Sequence, residues 1–252
     1  MGDLESSSGS GGGGKQATML VAASLGIAGG GEAMLAQDLS LLRQAMTTLL
    51  ERLAETFPSV RERRVFLISN FDCILSILQD RKVGMCDEAI RLEDLLMQQK
   101  ELYTEEELKM SFGKLTSFVV QTEKSVADAQ SASGSGSGGS DGGGGGNIGN
   151  RPGKLDLDIS MVENLVKEFA GSWRVAIQSI HDNVIGYFGD SRNGMEVLKQ
   201  VLTQMLMYYT RFQELIKRAW GGSGGKTPSF ARDIVGTSTI LMEIKRYSRV
   251  GS

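Results

Sequence analysis

The stretch Asp158–Phe188, DISMVENLVKEFAGSWRVAIQSIHDNVIGYF, decides the fold of this chain. Its large apolar side chains recur three and four residues apart over about eight turns, and a second stretch, Met195–Ile216, repeats the pattern. This spacing places the apolar residues on one stripe of an α-helix, and another element must cover that stripe. Neither stretch groups side chains suited to catalysis. The pattern therefore predicts long packed helices and favours a scaffold or interaction protein.

Glycine divides the chain into two parts. Of the 252 residues, 33 are glycine, concentrated in a few tracts, and only 3 are proline. No stretch alternates apolar and polar residues, so we predict an all-α protein: an elongated bundle or rod of antiparallel amphipathic helices. The predicted organisation is a disordered Gly/Ser-rich N-terminus at 1–16, a first helical half at 17–129, a Gly-rich disordered linker or loop at 130–153 and a C-terminal helical bundle at 154–249. The linker is long enough for the halves to pack side by side, and two separate modules also fit the sequence.

The first half is predicted to contain four helices. Pro58 ends the first of them, which starts near Glu32, and Gly84 ends the second, which contains Cys73 on an apolar run. A third helix follows over about Asp87–Leu102. The first helix carries a heptad-like apolar seam with spacings of four, three, four, three and four residues: Leu35, Leu39, Leu42, Met46, Leu49 and Leu53.

Two capping boxes are predicted to begin helices. Thr104 with Glu107 would open the fourth helix, which runs to about Ala129, and Ser160 with Glu163 would open the helix after the linker. In the second half, glycines at 189–194 turn the chain into the Met195 helix. A Gly-rich loop at 220–228 then leads to a last helix at 229–247.

Residues that could support chemistry are few and scattered. Cys73 and Cys86 do not make a disulfide framework, and we predict that Cys73 is a small buried apolar residue. The sole histidine, His181, adjoins Asp182 and is expected on a helix surface, so a Cys–His nucleophilic pair fits poorly. Structural zinc would need four closely spaced ligands. The sequence predicts a protein that is not an enzyme and that has no metal and no cofactor.

The segment GGSGGKT at 221–227 has some likeness to a phosphate-binding loop. That loop requires four residues between its first glycine and its Gly-Lys-Thr, and Trp220 occupies the position of that first glycine. It also requires a preceding β-strand, whereas an amphipathic helix is predicted here. Nucleotide binding is therefore not expected.

Charge is nearly balanced overall but uneven along the chain. The net charge of −3 arises from 27 basic and 30 acidic residues, which argues against nucleic acid as a main partner. From position 211 onward the chain has eight basic and three acidic residues. An ordinary solvated helix face explains this excess, and the alternative is a docking patch for an acidic partner or anionic lipid. The candidate partner-binding residues are Arg211, Lys217, Arg218, Lys245 and Arg246.

The longest nearly apolar run, Ala17–Ala28, is too short to span a bilayer. It follows an acidic, Gly/Ser-rich start, whereas a signal peptide would have positive charge there. With only two cysteines, a reducing, cytosolic setting fits. We therefore predict neither a membrane span nor secretion.

Several segments, taken in order, resemble the C-terminal half of the vacuolar protein sorting-associated protein 52 family. FLISNFD at 66–72 is similar to the FLINNYD pattern of that family, and FGKLTSFV at 112–119 is similar to its FGxLxxFV pattern. The likeness extends over roughly 17–129 and 157–247. The remaining similar segments are FAGSW at 169–173, Asn193-Gly194, LTQMLMYYTRF at 202–212 and ILMEIKRY at 240–247.

This resemblance implies a non-catalytic subunit of the Golgi-associated retrograde protein complex, which tethers endosome-derived vesicles near the trans-Golgi network before SNARE-mediated fusion. It implies sibling tethering-complex subunits, a Rab-class small GTPase and SNARE proteins as partners. It also implies a cytoplasmic location with peripheral association on trans-Golgi network and endosome membranes. The alternatives are a subunit of another helical-rod tether, of the exocyst or conserved oligomeric Golgi type, and a peripheral membrane-binding helical scaffold.

Overall fold

Helices make up the secondary structure of the computed structural model, which describes residues 27–81, 87–133, 155–189, 191–221 and 228–247. These parts of the chain contain no β-strand, so the all-α prediction is confirmed. A short 3-10 helix, Ser229–Asp233, precedes the last α-helix. The α-helices are α1 (Ile27–Ala54), α2 (Val60–Asp80), α3 (Asp87–Ser133), α4 (Ile159–Phe188), α5 (Arg192–Trp220) and α6 (Thr237–Tyr247).

Several predictions fall outside the described residues. They are the disordered terminus at 1–16, the start of the apolar run at 17–26, the helix break at Gly84, and the Gly-rich segments at 134–153 and 222–227. The predicted start of the linker at 130–133 is described, and it forms the end of α3.

The helix α4 begins at an aspartate rather than at the predicted capping box. Asp158 Oδ1 accepts hydrogen bonds from the backbone N–H of Ser160 at 2.8 Å and of Met161 at 3.2 Å. Glu163 instead pairs with Lys167 one turn later, at 2.7 Å. The Ser160–Glu163 capping box is therefore wrong, because Asp158 already satisfies the free N–H groups of the first turn.

A tight turn joins α4 to α5. Gly189 has a φ of 67°, a left-handed conformation that glycine adopts without steric cost. Ser191 caps α5, since its Oγ accepts a hydrogen bond from the N–H of Gly194 at 3.1 Å. A Cβ atom at Gly194 would lie 2.6 Å from the carbonyl oxygen of Gly189 and 3.0 Å from Phe188 Cβ. The close approach of the two helices at this turn therefore requires a glycine at 194.

Aromatic side chains join α3, α4 and α5. Phe169 of α4 stacks on Tyr209 of α5, with ring centroids 4.1 Å apart. Phe112 of α3 lies 5.8 Å from Phe169, and the Phe118 and Phe212 rings meet edge-to-face at 5.7 Å. The apolar stripes predicted for α4 and α5 are confirmed as the centre of the core. Fully buried members include Val162, Ile177, Ile180, Val184, Val201, Met205 and Phe212.

The helix α2 packs on α3 through a face that excludes its cysteine. Ser59 and Glu62 form a capping box at the start of α2. This capping box was not predicted. Ile68 and Phe71 are almost completely buried, whereas Cys73 is exposed. The prediction that Cys73 is buried is wrong, because two residues along a helix turn a side chain about 200° away from its neighbour on the core face.

The helix α3 continues through Leu102 and is broken instead at Phe112, so the predicted boundary between two helices near Leu102 is wrong. Thr104 Oγ1 donates to the carbonyl oxygen of Lys100 at 2.8 Å, which is an interior helical contact and not an N-cap. The non-helical residue is Phe112, with φ −137° and ψ 28°, and it kinks the helix there. The 47 residues of α3 pack against α1, α2, α4 and α5.

Pairs of contacts fix the direction of the helices relative to α3. Lys100 lies 3.2 Å from Glu196 near the start of α5, and further along α3 Phe118 contacts Phe212 near the end of α5. These two helices are therefore parallel. The helix α4 returns between them in the opposite direction, as the contact of Tyr103 with Phe188 shows.

Candidate interaction surfaces

The described residues contain no cluster of metal-binding side chains, and the sole histidine takes part in a helix contact. No group of three or more His, Cys, Asp or Glu side chains in these ranges could hold a metal ion. His181 Nδ1 lies 3.0 Å from Asp182 Oδ1, and its ring packs 4.9 Å from that of Tyr247. Hydrogen bonds from His181 and then from Gln178 lower the pKa of Asp182. The histidine thus belongs to the contact between α4 and α6.

The first predicted partner-binding residue, Arg211, is half-buried and paired with a neighbouring helix. Its guanidinium group binds Glu123 of α3, with Nε donating to Oε1 at 2.8 Å, and it lies 5.1 Å from the ring centroid of Tyr208. The hydrogen bond with Arg211 lowers the pKa of Glu123, and the same bond raises the pKa of Arg211. The structure therefore places Arg211 as a link between α5 and α3.

The other four predicted residues lie in the last turns of two helices. Lys217 and Arg218 end α5, and they form no ion pair with another described residue. Lys245 and Arg246 end α6, where Arg246 binds Glu243 at 2.9 Å. All four side chains are exposed. Positive charge is favoured at such positions by the helix dipole, which gives these residues a structural role whether or not they bind a partner.

These basic residues do not form one continuous patch. The helix α6 starts beside α5, where Thr237 Oγ1 donates to Gln213 Oε1 at 3.0 Å, and its far end reaches α4 through Tyr247. It therefore runs antiparallel to α5. Counted from the 213–237 contact, Lys217 and Lys245 lie roughly 18 Å apart along the helix axes, at 1.5 Å per residue. Any partner that uses both would need to cover an extended surface.

A buried polar contact, which we call the Glu107 hub, joins α2, α3 and α4. Glu107 is 1% exposed, and its Oε2 accepts from Arg61 Nη2 at 2.6 Å while its Oε1 accepts from Asn183 Nδ2 at 2.8 Å. The Arg61 guanidinium also lies 5.8 Å from the ring centroid of Tyr187. Burying a carboxylate is costly unless it is paired and hydrogen-bonded, and both conditions are met here. The hub was not predicted, because Glu107 has the spacing of a capping box with Thr104 in the sequence.

A groove follows the kink of α3 on the side that faces α4. It has a volume of about 750 Å³, and Phe112, Leu165 and Phe169 contribute apolar surface to it. At its edge, Lys114 Nζ lies 2.8 Å from Glu168 Oε2, and both side chains are mostly exposed. The ionisable side chains of its lining are Lys109, Lys114 and Glu168, and the last two form an ion pair with each other.

The helix α1 exposes most of the predicted heptad seam. It packs on the bundle through Leu50 and Ala54, which are buried, and through an ion pair between Arg43 and Glu88 of α3. Met46 is the member of the seam that contacts this core. We define the α1 leucine face as its exposed apolar residues, which are Met34, Leu35, Leu39, Leu41, Leu42, Leu49 and Leu53.

Comparisons with known proteins identify the family. The family model described as Vps52, C-terminal, matches residues 17–104. Over 219 residues the chain is 31% identical to vacuolar protein sorting-associated protein 52 B of Arabidopsis thaliana, which covers 87% of the chain and 27% of that protein. The chain carries a Vps52 C-terminal region. The resemblance seen in the sequence is thus confirmed.

More distant Vps52 proteins extend the same result to animals. Identity is 26% over 182 residues with the Rattus norvegicus homolog, covering 72% of the chain and 22% of that protein. With the Caenorhabditis elegans homolog it is 23% over 199 residues, covering 79% and 25%. The chain spans about a quarter of the length of the curated Vps52 relatives that it matches. No solved structure matches the chain.

The range matched by the Vps52 model can be placed on the structure. Residues 17–104 include α1, α2 and the first part of α3, and therefore both the α1 leucine face and Arg61. The predicted basic residues lie beyond this range. Among the described helices, none is both long enough and apolar enough to cross a membrane.

Proposed function

We propose that this chain acts as a non-catalytic part of a vesicle tethering complex of the Golgi-associated retrograde protein type. The observation that carries the proposal is its similarity to Vps52 proteins over 87% of the chain. The relatives are named as vacuolar protein sorting-associated proteins, which supports a role in protein transport. In this proposal the chain serves retrograde transport from endosomes to the trans-Golgi network and works by protein–protein interaction.

The architecture suits a tether because it supplies length and surface. A helix of 47 residues extends about 70 Å at 1.5 Å per residue, and α3 has this length apart from its kink. The Glu107 hub and the Arg211–Glu123 contact attach the neighbouring helices to α3 at two levels. Such a bundle can hold two bound partners at a set separation, which is the physical task of a tether.

The proposed partners are sibling subunits of the complex, a Rab-class small GTPase and SNARE proteins. The proposed location is the cytoplasm, with peripheral association on trans-Golgi network and endosome membranes. Within the chain, Lys217, Arg218, Lys245 and Arg246 are the proposed partner-facing residues, because their charged ends are exposed. Arg211 would act indirectly, by holding α5 against α3.

Affinity purification of the tagged full chain from cells, followed by mass spectrometry of the accompanying proteins, tests the proposal. We expect sibling tethering subunits to be enriched over a mock purification. Recovery of none of them by a chain whose circular dichroism shows folded helices would contradict the proposal. Recovery of exocyst or conserved oligomeric Golgi subunits instead would place the chain in a different tether.

Charge reversal separates the partner-facing role of the basic residues from their structural role. The variant K217E/R218E should retain the helicity of the wild type and lose at least one accompanying protein. Lys199, which is also exposed on α5, provides the matched control as K199E. Equal loss of partners with K199E would show that overall charge, and not this position, controls binding.

A further inference from the structure

The α1 leucine face has the spacing of a coiled-coil seam, and none of the residues that the structure describes covers it. In heptad notation Leu35, Leu42 and Leu49 occupy d positions, and their exposed fractions are 60%, 65% and 57%. The a positions hold Leu39, Met46 and Leu53. Soluble proteins rarely expose a contiguous apolar strip of this length unless another chain binds there.

We propose that this face binds the same face of a second copy of the chain, in an antiparallel two-helix coiled coil. An antiparallel pair places a positions opposite d positions. One register satisfies the whole seam at once, because the residue numbers of each facing pair then add to 88. The facing pairs are Leu35 with Leu53 of the second copy, Leu39 with Leu49 of the second copy, and Leu42 with Met46 of the second copy.

The charges beside the seam favour this arrangement. In the proposed register the g positions Asp38 and Arg52 face each other across the interface, and the two-fold symmetry makes this contact twice. Both side chains are exposed, and neither forms an ion pair with another residue in the described ranges. In a parallel pair Asp38 would instead face Arg43, which Glu88 already holds, and Arg52 would face Phe57. The charges of Asp38 and Arg52 therefore form complementary pairs in the antiparallel orientation and not in the parallel one.

The way in which α1 is packed leaves the required edge open. Leu50 and Ala54 are buried against the chain's own bundle, and the e position Arg43 is paired with Glu88 on that side. The opposite edge carries the g positions, where Ala45 falls at the two-fold axis. A small side chain at this point allows the two helices to approach closely. A second copy would thus contact the a, d and g positions without displacing a helix of the bundle.

The association state of the purified full chain tests the proposal. Analytical ultracentrifugation over a range of concentrations should show a reversible dimer. The variant L42D should shift the chain to monomer without a change in helicity, because Leu42 makes no core contact. A wild-type chain that is monomeric at every concentration would overturn the proposal, and this is the result expected if a helix of another protein covers the face.

Charge exchange tests the register. Each of D38R and R52D replaces two attractive contacts with two repulsive ones, so each should weaken the dimer at least about tenfold. The double variant D38R/R52D recreates the attraction in both places and should restore dimer formation. A double variant as weak as either single variant would overturn the predicted pairing of Asp38 with Arg52.

Disulfide cross-linking tests the orientation in a chain whose native cysteines are replaced by C73S and C86S. The variant L39C/L49C should oxidise to a covalent dimer, because these positions face each other in the antiparallel register. The single variants L39C and L49C should form no covalent dimer under the same oxidation, since each introduced cysteine faces a leucine. Efficient cross-linking of L39C alone would indicate a parallel pair and would overturn the proposal.

Discussion

Replacing Arg61 by methionine should be among the most destabilising single changes in the chain. Its guanidinium lies 2.6 Å from Glu107 Oε2, and Glu107 is 1% exposed. Without Arg61, Asn183 would be the one described residue whose side chain hydrogen-bonds that carboxylate. Removing one partner of a buried ion pair costs about 3–5 kcal/mol, and because the Arg61 side chain is 12% exposed we expect the lower end, about 3 kcal/mol. For a chain of this size the melting temperature should fall by roughly 6–12 °C.

Urea unfolding followed by circular dichroism at the helical minimum measures this effect. The double variant R61M/E107M should recover much of the loss, because no charge is then left in the interior and the two methionines restore apolar packing. The matched control is K114M, since Lys114 lies 2.8 Å from Glu168 with both side chains mostly exposed, and its cost should stay below about 1 kcal/mol. A cost below 1 kcal/mol for R61M, or a double variant no better than R61M alone, would refute the reasoning.

Three further changes test other parts of the bundle. Arg211 lowers the pKa of Glu123 from an ordinary value near 4.5, so the contribution of Glu123 to stability is present above that pH and is lost as the pH falls below it. The variant E123Q should therefore flatten the acid side of a stability–pH curve. An unchanged acid side would contradict this. Burial raises the pKa of Tyr209 from 10.0 to about 12, which favours the neutral phenol in the folded state, so its contribution to stability should fall as the pH rises from 10 to 12. Burial also raises the pKa of Tyr103, so Y209F should reduce the alkaline decline in a thermal-shift series without abolishing it. Y209F should also lose about 1 kcal/mol at neutral pH, because the hydroxyl donates to the carbonyl oxygen of Val235 at 2.8 Å. The variant I180A should lose about 2–5 kcal/mol in urea unfolding, since Ile180 is fully buried, and a smaller loss would show that α4 is not central to the core.

The fold class and the main core could be predicted because they follow from the period of the apolar residues. Every turn of α4 and α5 repeats the same apolar stripe, so the pattern in Asp158–Phe188 indicates a helix whatever its neighbours are. Tertiary contacts determine only which neighbouring helices cover that apolar stripe. The parallel direction of α3 and α5 was not predictable, since the sequence does not state how a chain returns across a long connection.

Errors arose where one residue type has two physical roles. Thr104 and Glu107 have the spacing of a capping box, but the structure uses the threonine hydroxyl inside a helix and the glutamate in a buried ion pair. The N-cap of α4 is Asp158 and not the predicted Ser160. Local spacing alone cannot distinguish these uses, because the choice depends on partners that are distant in sequence, such as Arg61.

The candidate surfaces show the same limit. The excess of basic residues from position 211 onward predicted a partner-binding surface, but the guanidinium group of Arg211 is paired with Glu123 of the same chain. The heptad of α1 could be identified from its spacing, but a heptad indicates only that an apolar strip exists. Its exposure depends on which face of α1 turns toward the bundle, and Leu50 and Ala54, just outside the heptad seam, determine this.

The kinked course of α3 has a mechanical consequence. Because α3 contacts both α2 and α5, a force applied at one end of the molecule passes along α3 and through the kink at Phe112. Under load α3 should bend at Phe112, since the backbone of this residue is already out of helical geometry. Pulling experiments on single molecules should therefore show the chain yielding first at this residue, with the segments on either side remaining stiff.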